Sequence, residues 1–316
     1  MRRRIVLTAW GLFALCLVAG GTARGEVPVP MSEKNMQTTG SMVSGVSFDG
    51  EFYPPQGSPK KLGVLVVGGS DGGVPSRRAK LIAENGFPVL ALAYFKSKRT
   101  PEHLDMIPLE YFDEPIEWLI KSKHTQGGRI VVIGESKGAE LALLLAARKP
   151  EISGVVAFVP GAVVFQGMPK DYWPPRSSWS HRGEPIPFVP YDLSNLPDPN
   201  NVLSIYRNSL KQQEAVRRAL IPVSRIKGPI LLFSARDDRM WPSVEMSEMI
   251  MRTLKDQEFS YPYEHIPYDN AGHTMTEHYM MGGTEEGNRK ARIDSTEKML
   301  LFLNKRSAEQ QAPVQR

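Results

Sequence analysis

The chain has 316 residues, 41% of them apolar and 23% charged, with a formal net charge of +5. That composition suits one large globular domain or two small ones and excludes a chain disordered throughout. The single cysteine, Cys16, lies in an N-terminal leader, so disulfides, cysteine metal sites and a cysteine nucleophile are excluded together from the chain that follows it.

Residues 1–25 read as a secretory signal peptide. Arg2, Arg3 and Arg4 precede an apolar run from Ile5 to Ala19, and Ala23-Arg-Gly25 offers a cleavage site before Glu26. The apolar run, about 15 residues, is short of the roughly 20 that a membrane span needs. The expected location is therefore the periplasm or the cell exterior, the alternative being a membrane anchor through an uncleaved leader or a lipidated Cys16. Cleavage removes Arg2, Arg3, Arg4 and Arg24 and no acid, leaving a formal charge of +1. The charge thus points to neither nucleic acid nor a membrane surface as a partner. Oligomeric state is not legible.

Residues 26–44 form an extended lead-in, and a weak hairpin signal follows in "GVSFDGEFYPP". Buried strands are predicted in "KLGVLVV" of the 60s, in "FPVLALAY" (87–94) and in "RIVVI" (129–133). Three more follow in "ISGVVAFV" (152–159), "PILLFSA" (229–235) and "YPYEHIPY" (261–268). Helical patterns separate most of them: "SRRAKLIAENG", "PLEYFDEPIEWLIKSK", "SKGAELALLLAARK" and "PSVEMSEMIMRTL", with a last helix near 286–304. Alternating strand and helix predicts an α/β fold, a mostly parallel sheet covered on both faces. The folded domain is expected over 45–305 and a flexible tail over 306–316.

Residues 165–210 interrupt the alternation. The segment is rich in proline and carries Trp173, Trp179, Phe188 and Tyr191. Its length marks it as functional or disordered, and its aromatics speak against disorder. It reads either as a lid over an apolar acyl pocket or as a surface covering that packs its own aromatics.

The stretch "RIVVIGESKGAELALLLAA" (129–147) places Ser136 between a β-branched run and an apolar helix, inside Gly134-x-Ser136-x-Gly138. Strand, tight turn and helix in that order form a nucleophile elbow, although a serine there can also simply cap the helix. A serine nucleophile needs a base, and the base an orienting acid, in the chain order serine, acid, histidine. "RDDRMWP" follows the 229–235 strand with Asp237 and Asp238, and Asp238 better suits the spacing to the next helix. Of the histidines only His265, His273 and His278 come later. His265 lies within a strand, His273 stands in a loop after it, and His278 is the alternative. Backbone donors for an oxyanion are expected at Lys137 and in the loop "GGSDGG" (68–73), at Gly69, Ser70 or Asp71, with Ser70 favoured. No complete dinucleotide or Walker pattern and no metal-ligand spacing occurs, so no cofactor or metal is predicted.

"GESKGAEL", "GGSDGGVPSRRAKLIAENGFPVLALAYF", "PLEYFDEPIEWL" and "RDDRMW" together resemble the catalytic domain shared by acyl-CoA thioesterases and bile acid-CoA:amino acid N-acyltransferases, over roughly residues 45–305. The resemblance implies an α/β-hydrolase fold with Ser136 as nucleophile, Asp238 as acid and His273 as base. It implies hydrolysis of acyl thioesters or carboxylic esters, small molecules, as the activity. The amino-acid-transferring members use cysteine where this chain has Ser136, which favours water as acceptor; an acyltransferase and a non-catalytic binder of apolar ligands are the alternatives. The immunoglobulin-like domain that precedes the catalytic domain in larger members is expected to be absent.

Overall fold

The computed structural model describes residues 38–311 apart from Tyr172, Trp173, Asn195, Pro197, Pro199, Tyr279 and Met280. The expected signal peptide, most of the lead-in and the last five residues of the expected tail lie outside the described residues.

The described residues open with β1 (Ser41–Met42) and β2 (Asp49–Tyr53), a hairpin that pairs Ser41 with Phe52. Then come β3 (Gly63–Val67), α1 (Ser76–Glu84), β4 (Val89–Ala93) and the short β5 (Ile107–Pro108), followed by a 3-10 turn over Leu109–Phe112 and α2 (Asp113–Lys121). The central part is β6 (Ile130–Glu135), α3 (Lys137–Ala146) and β7 (Ile152–Phe158). The insertion supplies β8 (Trp179–His181), β9 (Glu184–Pro185) and α4 (Val202–Ser209), after which comes α5 (Gln213–Ala219). The chain closes with β10 (Ile230–Ala235), α6 (Ser243–Asp256), β11 (Tyr263–Tyr268) and α7 (Glu285–Gln311).

Eight strands form one sheet in the order β1-β2-β4-β3-β6-β7-β10-β11. Its first two pairings are antiparallel and the rest parallel. This is the mostly parallel α/β sheet that the alternating pattern predicts, in the α/β-hydrolase arrangement that the resemblance implies. The inner strands are continuous apolar runs because both faces are covered. Alternate residues of β3 feed opposite cores: Leu65 and Val67 join the cluster that holds α3, while Val64 and Val66 join the one under α1 and α7. All ten residues of α3 are buried. Burying a leucine or valine fully contributes about 1.5–3 kcal/mol, so Leu141, Leu143, Leu144 and Leu145 anchor this helix to the sheet.

The register brings the carboxyl ends of the central strands to one edge. Val67 stands opposite Gly134, Glu135 opposite Phe158, Phe158 opposite Phe233, and Ala235 opposite Tyr268. The loops that follow these strands therefore open on the same side, where open α/β sheets hold their ligands.

Two expectations need correction. The 165–210 segment is not an irregular loop: β8 pairs in parallel with β5 and antiparallel with β9, forming a small second sheet. Its aromatics Trp179, Phe188 and Tyr191 pack on the core cluster that contains α3. Nor do residues 306–311 belong to a flexible tail; α7 runs on to Gln311, and the Gln310 side-chain amide donates to the Gln126 carbonyl.

Candidate active site

β6 ends in a turn that only this residue pattern permits. Ser136 has φ 55° and ψ −122°, a left-handed backbone that costs a non-glycine residue free energy unless its surroundings enforce it. A Cβ at Gly134 would lie 2.1 Å from the Gly138 carbonyl oxygen, and one at Gly138 would lie 2.2 Å from that of Gly68. Both glycines are thus required by close approach of backbone, the second by contact between α3 and the end of β3. The turn projects the Ser136 hydroxyl while the amides of Lys137 and Gly138 stand in the first turn of α3, where N–H groups have no intrahelical acceptor.

The serine hydroxyl meets the predicted base. Ser136 Oγ lies 2.9 Å from His273 Nε2, and His273 Nδ1 lies 2.9 and 3.0 Å from the two carboxylate oxygens of Asp238. Nδ1 faces a carboxylate and so carries the proton; Nε2 then turns its lone pair toward the hydroxyl. All three groups are buried, Ser136 at 8%, Asp238 at 5% and His273 at 6% exposure. Burial alone depresses the imidazole pKa, but the charge and hydrogen bond of Asp238, helped by Glu135 and Asp71, outweigh it and raise His273 above its ordinary value.

Asp238 follows β10 and is itself held: its Oδ1 accepts from the amides of Met240 at 2.8 Å and Trp241 at 3.1 Å. Asp237 is exposed, and its amide donates to the Ala271 carbonyl at 3.0 Å. The structure thus brings Asp238 and not Asp237 to the histidine. Neither other histidine after the acid takes part. His265 Nε2 lies 2.6 Å from Ser234 Oγ within the sheet, and His278 is exposed.

Across the elbow lies the 68–73 loop. A Cβ at Gly69 would stand 3.3 Å from Ser136 Cβ and 3.9 Å from Oγ, so this backbone runs beside the hydroxyl and carries Ser70 next in line. Two residues that sequence reasoning passed over hold the site. Asn288, fully buried on α7, accepts from the Gly272 amide at 2.8 Å and donates to the Gly282 carbonyl at 3.1 Å, which fixes the loop bearing His273. Trp241 packs edge-on to the His273 ring at 5.9 Å and donates from Nε1 to the Val159 carbonyl at 3.1 Å. Only the tryptophan gave any signal, by standing next to the acid segment.

A cleft of about 480 Å³ opens beside the elbow, lined by Arg78, Glu135, Phe158, Thr274 and Met299 among others. Arg78 pairs with Glu135 at 2.6 Å and lies 3.8 Å over the Phe158 ring. Neither Ser136 nor His273 lines this cleft, and no described residue of 165–210 does. It is not the acyl pocket beneath the insertion that the lid reading expects. Among the described residues no group of three or more His, Cys, Asp or Glu side chains could hold a metal ion, and no helix is long and apolar enough to cross a membrane.

Geometry of this kind occurs in many hydrolases, and comparison with known proteins narrows the choice. The model of the family described as BAAT / acyl-CoA thioester hydrolase C terminal matches residues 107–281, more than half of the chain and all three hydrogen-bonded residues. The chain belongs to that family. Acyl-coenzyme A thioesterase 6 of Mus musculus is 28% identical over 273 residues, a match covering 80% of this chain and 62% of the mouse protein. The peroxisomal succinyl-coenzyme A thioesterase of Mus musculus is 27% identical with the same coverage. The chain thus spans less than two thirds of the length of these thioesterase relatives. Among solved structures, an acylaminoacyl peptidase of Pyrococcus horikoshii superposes with a TM-score of 0.56 at 14% identity, covering 85% of this chain and 41% of that one. A dienelactone hydrolase homologue of Klebsiella pneumoniae does so with a TM-score of 0.52 at 16% identity, covering 84% and 96%. These structures share the α/β-hydrolase fold with this member of the thioester hydrolase family.

Proposed function

We propose that the protein is a serine hydrolase of acyl thioesters or carboxylic esters. The observation that carries this reading is the unbroken hydrogen-bond chain from Ser136 Oγ through His273 to Asp238. Ser136 Oγ attacks the acyl carbonyl as His273 Nε2 takes its proton, and the tetrahedral oxyanion is received by the amides of Lys137 and of the 68–73 loop at Ser70. Collapse breaks the bond to the leaving group, which departs as thiol or alcohol with the proton returned by His273. Water, deprotonated by the same imidazole, then attacks the acyl-serine ester and releases the acid and Ser136. Asp238 keeps the imidazole in the tautomer this sequence requires and stabilises it while charged, in line with its raised pKa. The substrates named for the thioesterase relatives make acyl-CoA, with coenzyme A as the leaving thiol, one substrate class. Arg2, Arg3, Arg4 and the apolar run behind them favour export, which adds non-CoA esters and thioesters as the other.

The test is hydrolysis of a panel of acyl-CoA thioesters and short to medium aryl esters, with a fluorophosphonate probe alongside. Ser136→Ala should lower kcat/KM by at least about 10⁴-fold and abolish the adduct. Turnover unchanged in Ser136→Ala would end the assignment, and amide product on adding amines would turn it to acyl transfer.

A further inference from the structure

The elbow helix α3 begins with a buried ion pair that the proposed reaction leaves unused. Lys137 Nζ lies 2.7 and 2.8 Å from the two carboxylate oxygens of Glu140, and the side chains are 2% and 0% exposed. Two charges taken out of water are tolerated only where the remaining hydrogen-bonding capacity is met. Here Trp179 Nε1 donates to Glu140 Oε1 at 2.7 Å and the Phe165 amide to Oε2 at 3.4 Å, both donors coming from the 165–210 insertion. The ammonium also faces the Trp179 ring at 5.7 Å.

Trp179 reaches the other side of the elbow as well. Its ring lies 5.5 Å from that of Tyr94, and the Tyr94 hydroxyl donates to the Gly68 carbonyl at 2.7 Å. From one fully buried indole, two lines of contact therefore run to the two backbone segments flanking Ser136. One passes through Glu140 to Lys137, the other through Tyr94 to the start of the 68–73 loop. These segments carry the amides assigned to the oxyanion, and donors must stand within about 2.7–3.1 Å of it to act. A glycine-rich loop has little rigidity of its own; the Tyr94 hydroxyl holds its start beside the elbow, while the Gly73 amide, donating to the Phe95 carbonyl at 3.0 Å, holds its end.

We propose that Trp179 is a positioning residue for the oxyanion site, setting the spacing of the Lys137 and Ser70 amides through Glu140 and Tyr94 and so making the insertion part of the reaction machinery. This rests on the serine hydrolase reading above. An apolar pair of similar volume commonly replaces a buried ion pair without loss of stability; what the ion pair adds here is a charge-assisted tether between the insertion and α3.

The experiment measures the rate of fluorophosphonate labelling per reactive serine, with stoichiometry counted by intact mass, in the full chain. Trp179→Phe keeps an aromatic ring beside Tyr94 but removes the donor to Glu140 together with some volume; Tyr94→Phe keeps the ring and removes only the donor to Gly68. Each should slow labelling and lower kcat about tenfold, a fraction of the 10²–10³ lost when an oxyanion donor is removed outright, with KM changed less than about twofold. A merely structural role would lower the labelled fraction and leave the rate per labelled site unchanged, and that result in both variants overturns the proposal. Lys137→Met together with Glu140→Leu, an apolar pair that keeps the core filled, should also label slowly, and wild-type labelling by that double variant would overturn it too. Failure of the underlying reading looks different: wild-type protein would then resist the probe, or Ser136→Ala would be labelled as fast, and the proposal would fall with it.

Discussion

Asp237 and Asp238 differ in burial, and burial decides their roles. A carboxylate at the surface is screened, whereas Asp238 at 5% exposure meets His273 with both oxygens and has its own Oδ1 fixed by two amides. Asp238→Asn should lower kcat about 10⁴-fold by allowing the wrong imidazole tautomer, while Asp237→Asn leaves it within about twofold. The pH profile gives a second reading of the same pair. The proposed reaction needs neutral His273, whose pKa is raised above its ordinary value of about 6.5, so kcat/KM should fall as pH drops through a midpoint above that value. In Asp238→Asn the midpoint of the residual activity should move down, because only the weaker influence of Glu135 and Asp71 then opposes burial. The linkage has the opposite sense for stability: protonated His273 adds stability in full below about pH 6.5, its unfolded value, and that increment vanishes as pH rises through the raised folded value. A kcat/KM limb at or below 6.5 in the wild-type enzyme would contradict this account of the site.

At the scale of elements, the nucleophile elbow brings strand ends and helix into backbone contact, and its glycines answer to that contact. Gly138→Ala puts a methyl 2.2 Å from the Gly68 carbonyl oxygen, well inside van der Waals contact, so α3 and the end of β3 must part. Overpacking of this kind costs about 1–3 kcal/mol, and the separation also moves the two amides assigned to the oxyanion. A thermal melt should show the lost stability, and labelling of Ser136 should slow beyond what the lost folded fraction explains; unchanged melting and labelling together would refute the close-contact argument. The elbow was legible because strand, turn and helix each left a pattern around Gly134, Ser136 and Gly138. The small sheet within the insertion was not, because β8 and β9 span three and two residues and pair with a two-residue β5, too short for any period to show. Lys137 and Glu140 were in view at i and i+3, but that spacing on a helix ordinarily marks a solvent-facing pair. Only the fold reveals that α3 is buried on every side and that a tryptophan 39 residues further on completes the pair. Asn288 left no signal at all, since nothing local connects it to the loop it clamps.

For the whole molecule, the open question of substrate turns on where the chain works. A protein confined with coenzyme A and one exported away from it meet different thioesters, even with one active site. Arg2, Arg3, Arg4, the apolar residues 5–19 and the small residues before Glu26 are the features that lead an export pathway to take and cleave a chain. Cleavage before Glu26, which would take Arg24 as well, would lower the formal charge from +5 to +1 and leave little net field to steer a polyanionic ligand such as an acyl-CoA. Expression of the full chain followed by cell fractionation and N-terminal sequencing should therefore find the active enzyme in the exported fraction with Glu26 first. Activity of that form toward an acyl-CoA and toward a neutral thioester of the same acyl chain should differ little in its dependence on ionic strength. Recovery of an active chain still beginning at Met1 in the cytoplasm, or a steep loss of acyl-CoA turnover with salt that the neutral thioester does not share, would return coenzyme A to the centre of the assignment while leaving Ser136, His273 and Asp238 in their roles.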